Sequence, residues 1–127
     1  MAVQLNHTIV HAKDREASAR FYSEVLGVPV AGRMGPFVVL ALDNAVTLDF
    51  ASAGDDPITS QHYAFKVSEQ EWDEIFARIK ERGLPYWADP YHRRPGETNT
   101  VFGGRGVYFE DPDGHNLEIM TTDYELE

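Results

Sequence analysis

The hydrophobic and polar positions of the chain follow the same pattern twice. Each copy begins with an alternating, strand-like run, Leu5–His11 in the first and Gln61–Val67 in the second, and continues at once with helical spacing. His7 matches His62, and Phe21 matches Phe76, at the same offset. The sequence therefore predicts two modules built to one plan.

Both predicted helices carry start and stop signals. Asp14 is a good N-cap for the first helix, and Gly27 stands where a C-terminal cap is expected. Ser68 and Glu71 form a capping box at the start of the second helix, and Gly83 ends it. The apolar stripes are Ala17, Phe21 and Val25 in the first helix, and Trp72, Ile75, Phe76 and Ile79 in the second.

Three short strands are predicted after each helix, separated by residues that favour turns. They are Val28–Ala31, Phe37–Leu42 and Ala45–Ala51 in the first module, and Pro85–Ala88, Gly106–Glu110 and Asn116–Thr121 in the second. The order βαβββ twice predicts an α+β fold. The first module covers about residues 1–52, a turn-rich linker residues 53–59, and the second module about residues 60–127.

The stretch Asp89–Arg105 is long, polar and rich in glycine and proline. A segment of this length inside a small domain is either a functional loop or a disordered flap, and both interpretations stay open. Its Tyr91, His92, Arg93 and Arg94 either attract an anionic substrate or form a plain solvated loop.

Composition and charge narrow the classes of function. The 127 residues carry a formal net charge of −10, a sign that repels nucleic-acid phosphates and anionic lipid. Because there is no cysteine, disulfides, thiol nucleophiles and thiolate metal sites are excluded, and a cytoplasmic location is expected. No stretch is apolar enough for a membrane span, so we expect neither nucleic acid nor membrane as a partner.

Strand alternation places one strongly polar group opposite the predicted core in each of four strands. The four are His7, Asp49, His62 and Glu118. Each alone is typical of a solvent-facing strand position, but both histidines hold the same place in the repeat. A pseudo-twofold arrangement of the modules would bring them together, and two imidazoles with a carboxylate can hold a divalent metal with positions left open for substrate.

The run Asp111-Pro112-Asp113-Gly114 has the chemistry of a tight turn. A type I turn with a glycine bulge pairs Asp111 with His115 and therefore Tyr108 with Glu118. Tyr108 is then expected beside the carboxylate, where it is a candidate proton donor. We expect His115 to order the hairpin rather than to bind metal.

Three segments together resemble the vicinal oxygen chelate superfamily, which includes glyoxalase I, extradiol dioxygenases, fosfomycin-resistance transferases and bleomycin-binding proteins. They are LNHTIVHAKDREASARFYSEVLGV at the start, the internal HYAFKVS, and VYFEDPDGHNLEIM at the end. The resemblance implies two tandem βαβββ modules that form a curved sheet around a cleft, with helices on the outer face. It also implies a homodimer, in which modules pair within a chain or are exchanged between chains.

By the same resemblance, His7, His62 and Glu118 match the metal ligands of the metal-dependent members. Some of those members have a fourth ligand at the position of Asp49, so Asp49 is expected to be a ligand, a base or a substrate contact. The metal would be one divalent ion per site, with Mn, Fe, Ni, Co and Zn all suited to these donors. His11, on the face of His7, and Arg105, between Gly104 and Gly106, are candidate substrate contacts.

The expected function is that of a metal-dependent enzyme in the glyoxalase and dioxygenase group. It would act on a small substrate whose vicinal oxygens chelate the metal. Isomerase, lyase, transferase and dioxygenase chemistry all remain open. The alternative is a metal-free small-molecule binding protein of the bleomycin-resistance type.

Overall fold

A computed structural model describes residues 2–127 and divides the chain into two compact units between Ile58 and Thr59. Each unit contains one α-helix and one four-stranded sheet. The predicted α+β class and the order βαβββ in each copy are confirmed. Neither α-helix in this part of the chain is long and apolar enough to cross a membrane.

The first unit contains one helix, α1, and a sheet with the order β1-β4-β3-β2. β1 pairs in parallel with β4, and the other neighbours are antiparallel. Tyr22 of α1 is fully buried and meets Phe50 edge-on at 4.8 Å between ring centroids, so the helix and sheet share an aromatic core. The elements are β1 (His7–Ala12), α1 (Arg15–Leu26), β2 (Val30–Met34), β3 (Phe37–Ala41) and β4 (Thr47–Ser52).

Three details of this unit differ from the sequence prediction. β4 begins at Thr47 instead of Ala45, because Ala45 has φ 66°, in the left-handed region rather than the extended one. β2 begins at Val30 instead of Val28 and continues through Gly32, where the register with β3 shifts. The glycine has φ 153°, and its lack of a side chain admits this irregularity inside a strand. In α1, Ala17 is exposed and Ser18 takes its place on the buried face, because the buried stripe runs through Ser18, Phe21, Tyr22 and Val25.

The second unit repeats this arrangement with the sheet order β5-β8-β7-β6, in which β5 and β8 are parallel. Trp72, Ile75 and Ile79 form the buried side of α2, as predicted, and the capping box between Ser68 and Glu71 is present. The elements are β5 (His62–Lys66), α2 (Glu69–Glu81), β6 (Tyr86–Trp87), a 3₁₀ turn (Val101–Gly103), β7 (Gly106–Glu110) and β8 (Asn116–Met120).

The turn between β7 and β8 has the predicted register. The Asp111 N–H donates to the His115 carbonyl at 3.1 Å, and Tyr108 pairs with Glu118. The His115 side chain is fully buried, and its Nδ1 accepts from the N–H of Gln61 at 3.0 Å. His115 therefore ties the hairpin to the residue that precedes β5.

The segment 89–105 is an ordered part of the second unit, so the disordered-flap interpretation is wrong. The Asp89 carboxylate accepts hydrogen bonds from the N–H groups of Tyr91, Arg93 and Arg94. These bonds lower the pKa of Asp89 in spite of the opposing effect of burial. Bridges from Trp87 to Pro95 and from Asn99 to Gly106 extend the order along the edge of β6 and β7.

Candidate metal centre

The structure brings His62 and Glu118 together on one face of the second sheet. His62 begins β5 opposite Asn116, and Glu118 lies two residues further along β8 on the same face. The parallel pairing of these strands leaves His62 Nε2 3.1 Å from Glu118 Oε1. The His62 side chain is 47% exposed and that of Glu118 is 16% exposed, so the pair is accessible from solvent.

The other nitrogen of His62 determines what this contact can do. His62 Nδ1 lies 3.0 Å from the main-chain carbonyl oxygen of Asn116, an atom that can only accept, so Nδ1 carries the proton of the neutral ring. Nε2 then presents a lone pair towards an ionised carboxylate. A proton or a metal cation at this position satisfies both atoms, and a histidine held through Nδ1 by a carbonyl is the usual arrangement around a metal-ligating Nε2. The donor set therefore fits a divalent metal.

Tyr108 lies beside this pair. It is in register with Glu118, and its hydroxyl hydrogen-bonds to the Glu118 carboxylate. Its ring is 5.9 Å from that of His62, with 27° between the planes. Burial, followed by the negative charge and hydrogen bond of Glu118 and the charge of Asp89, raises the pKa of Tyr108, so the phenol keeps its proton at neutral pH.

The first unit contains a related arrangement with different neighbours. His7 begins β1 opposite Thr47, and Asp49 stands two residues further along β4, in the place that Glu118 takes in β8. His7 Nδ1 lies 2.8 Å from Asn6 Oδ1, which directs its proton to Nδ1 and leaves the lone pair on Nε2. Asp49 is 9% exposed and accepts from the Thr47 hydroxyl at 2.8 Å.

The partner of Asp49 in β3 is Val39, where Glu118 has Tyr108. The first unit therefore offers a carboxylate without a neighbouring phenol. Within residues 2–127, no group of three or more His, Asp or Glu side chains is close enough to hold a metal ion. His62 and Glu118 form a pair, and a third protein ligand for them stays a prediction.

The two predicted substrate contacts lie in different surroundings. The His11 side chain is exposed on β1, on the same face as His7. Arg105 instead contacts α2: its guanidinium donates to Glu69 and Asp73, each at 2.8 Å, and lies 4.3 Å from the Trp72 ring centroid. Because two carboxylates already bind this guanidinium, the structure gives no support to Arg105 as a contact for an anionic substrate.

Sequence reasoning did not select Trp87 or Asn116 on this face, and it named His92 only as a residue of the loop. His92 stacks on Trp87, and its Nε2 lies 3.0 Å from the side-chain Oδ1 of Asn116. The alternation of β8 placed Asn116 on the face of Glu118. No local pattern, however, links Asn116 to a histidine 24 positions earlier.

Comparisons with known proteins agree with this fold. The chain is 28% identical over 124 residues to the glutathione transferase FosA of Serratia marcescens, which covers 94% of this chain and 81% of that protein. Two solved structures, titled oxidase ChaP-H2 and oxidase ChaP-H1, are 60% and 61% identical, each with a TM-score of 0.95. They cover 98% of this chain and 97% and 100% of their own.

A family model for the Glyoxalase/Bleomycin resistance protein/Dioxygenase superfamily matches residues 4–119. This match spans both βαβββ units and includes every predicted metal ligand. The chain therefore belongs to the glyoxalase/bleomycin resistance protein/dioxygenase superfamily.

Proposed function

We propose that this protein is a metal-dependent oxidase that acts on a small substrate through two adjacent oxygen atoms of that substrate. The observation that carries the metal assignment is the His62 Nε2–Glu118 Oε1 contact, with His62 Nδ1 already tied to a carbonyl. The observation that carries the reaction class is the 60–61% identity to structures titled as oxidases over nearly the whole of both chains.

His62 and Glu118 are the first two proposed ligands, and His7 is the third. The support for His7 is its matching place in the repeat and its hydrogen bond to Asn6, which leaves Nε2 free of its proton as in His62. Asp49 remains a candidate fourth ligand or base because it holds the place of Glu118 in the first unit. His11 remains a candidate substrate contact on the face of His7.

A divalent transition metal, when bound, supplies open positions for the substrate oxygens and stabilises the negative charge that develops on them. The residues of the chain orient the ligands and hold a proton at the site. The carbonyl of Asn116 orients His62, and Tyr108 holds a proton beside Glu118. Because its pKa is raised, Tyr108 keeps its proton at neutral pH and can donate a hydrogen bond to a substrate oxygen. An oxidase passes the electrons of its substrate to dioxygen, which is the co-substrate here.

The test measures metal content and oxygen consumption. Protein purified without chelators or affinity metal is expected to hold one transition-metal ion per site, and His62→Ala and Glu118→Ala are expected to lose it with the fold intact by circular dichroism. Reloaded enzyme is then offered vicinal diols, hydroxyketones and catechols while dissolved oxygen is followed.

Three outcomes overturn parts of the proposal. Equal metal content in wild type and His62→Ala removes the site, and tight ligand binding in the presence of chelator would favour the metal-free binding protein. Metal binding without oxygen consumption on any of these substrates removes the oxidase assignment and leaves isomerase, lyase or transferase chemistry.

The homodimer is part of the proposal, and complementation tests how it assembles the site. If His7 acts with the His62 and Glu118 of a partner chain, refolding His7→Ala together with His62→Ala restores one intact site in each mixed dimer. If all three act within one chain, the mixture stays without metal. If the wild-type protein sediments as a monomer, the proposed homodimer is wrong. A cytoplasmic location remains our expectation.

A further inference from the structure

Two aromatic rings form a flat slab at the edge of the second sheet. Trp87 of β6 and His92 stack with ring centroids 3.7 Å apart and planes within 5°. Trp87 pairs with Tyr108, which in turn pairs with Glu118. Trp87, Tyr108 and Glu118 therefore project from one face of the sheet in a row across three neighbouring strands.

Several contacts hold His92 in this position. Its backbone has φ 58°, in the left-handed region that few non-glycine residues adopt, although histidine does so more readily than most. His92 Nε2 donates to Asn116 Oδ1 at 3.0 Å, and Asn116 Nδ2 donates to the Pro90 carbonyl at 3.2 Å. The Asp89 carboxylate binds three N–H groups of the same turn. These contacts therefore hold the His92 ring in place against Trp87.

The position of the slab relates it to the proposed metal site. Neighbouring strands lie about 4.8 Å apart, so Trp87 stands about 10 Å from Glu118 across β7. A substrate whose oxygens reach a metal at Glu118 and His62 extends its body over Tyr108 towards the slab. Trp87 and His92 are only half-buried, so part of the slab is open to such a body.

We propose that Trp87 and His92 determine substrate specificity by forming a flat wall that selects substrates with a planar, unsaturated body. This inference rests on the proposed metal site, because the metal fixes the end of the substrate from which its body extends. Aromatic faces prefer stacked or edge-on contact with another unsaturated ring, and a saturated ring of similar volume lacks that contact. His92 holds the wall, and Trp87 supplies most of its area.

The experiment uses three probes that share one chelating group. Acetohydroxamate, benzohydroxamate and cyclohexanecarbohydroxamate each offer two adjacent oxygens and differ only in the body attached. Their dissociation constants are measured on the Co²⁺-loaded protein from the visible absorption of the metal. The variants are His92→Ala and Trp87→Leu, with Tyr91→Ala as the matched control, because Tyr91 is 76% exposed in the same turn.

We expect benzohydroxamate to bind the wild type more tightly than cyclohexanecarbohydroxamate, by about 3- to 10-fold, the range of one aromatic contact. His92→Ala and Trp87→Leu should abolish that preference, while acetohydroxamate and Co²⁺ bind within about twofold of wild type. Tyr91→Ala should change none of these values. The Co²⁺ affinity also shows that each variant is folded, because unfolded protein would not hold the metal.

Two results separate failure of the wall from failure of the metal site. If all three hydroxamates bind but the preference is absent, or survives both substitutions, the wall is refuted and the metal site stands. If Co²⁺ or acetohydroxamate does not bind the wild type, the proposed metal function is refuted, and this inference with it.

Discussion

Replacing His115 by leucine tests whether this buried histidine is a structural residue or a hidden ligand. Its side chain is fully buried, and its Nδ1 accepts the N–H of Gln61 at 3.0 Å. Leucine has a similar volume but no acceptor. The substitution therefore removes the hydrogen bond and the ring contact with Tyr63 while leaving little cavity.

The expected cost follows from the group left behind. The N–H left behind belongs to Gln61, an exposed residue, so we expect the ordinary net contribution of one hydrogen bond, about 0.5–1.5 kcal/mol. His115→Ala loses the hydrogen bond and the edge-on contact with Tyr63 at 5.7 Å and also leaves a cavity, so it should cost about 2–5 kcal/mol by comparison with other large-to-small core substitutions. The order of stability is therefore wild type, then leucine, then alanine.

Urea unfolding of the metal-free proteins measures these differences, and metal content is determined on the same preparations. We expect lower midpoints at unchanged m value and one metal ion per site in both variants, because Asn116 still orients His62. Stability within 0.5 kcal/mol of wild type, together with loss of metal, would show that His115 serves the metal site and that the structural assignment is wrong.

Three further predictions concern residues outside this core. Asp49→Asn should weaken Co²⁺ binding at least tenfold, measured by competition with a chelator, if Asp49 is a ligand; an unchanged affinity would restrict it to another role. Arg105→Gln should lower the urea midpoint only slightly, as expected for exposed ion pairs, and should leave hydroxamate binding to the Co²⁺-loaded protein unchanged; weakened binding would restore Arg105 as a substrate contact. Ser68→Ala should cost about 1 kcal/mol at pH 7 in urea unfolding. The backbone N–H of Ser68, followed by its hydroxyl, holds the pKa of Glu71 below its usual 4.5. The contribution of the Glu71 carboxylate is therefore present above that pH and is lost as the pH falls through the lowered pKa. Because alanine at position 68 keeps the backbone N–H, Glu71→Gln is the variant whose cost should fall with pH, and a pH-independent cost would contradict this.

The part of the site that the sequence predicts depends on short-range rules. Alternation along each strand placed His62 and Glu118 on one face, and the turn chemistry of Asp111–Gly114 fixed the register that sets Tyr108 beside Glu118. These inferences hold because a strand offers only two faces and a tight turn allows few registers. The βαβββ order followed in the same way from the change between periods of two and 3.6.

The features that the sequence did not predict depend on contacts between residues that are distant in sequence, or on a local irregularity that a residue pattern does not show. The glycines around Arg105 suggested an open approach for an anion, but the guanidinium reaches back 36 residues to Glu69. Gly32 suggested the end of a strand, whereas the strand passes through it with a register shift. His92 looked like part of a polar loop because its contacts with Trp87 and Asn116 exist only in the folded unit.

The parallel pairing of β5 with β8 has a consequence for the newly synthesised chain. His62 and Glu118 are separated by 56 positions, and they meet only when the last strand of the module docks against the first. A nascent chain in which β5 and α2 have been synthesised but β8 has not contains His62 without Glu118, so the contact cannot form. Because closing so long a loop has an entropic cost that only the complete sheet offsets, the proposed metal would be held by this pair only once the whole module is complete. For the same reason, a metal bound at the proposed site would oppose global unfolding of the module more than the fraying of any single turn.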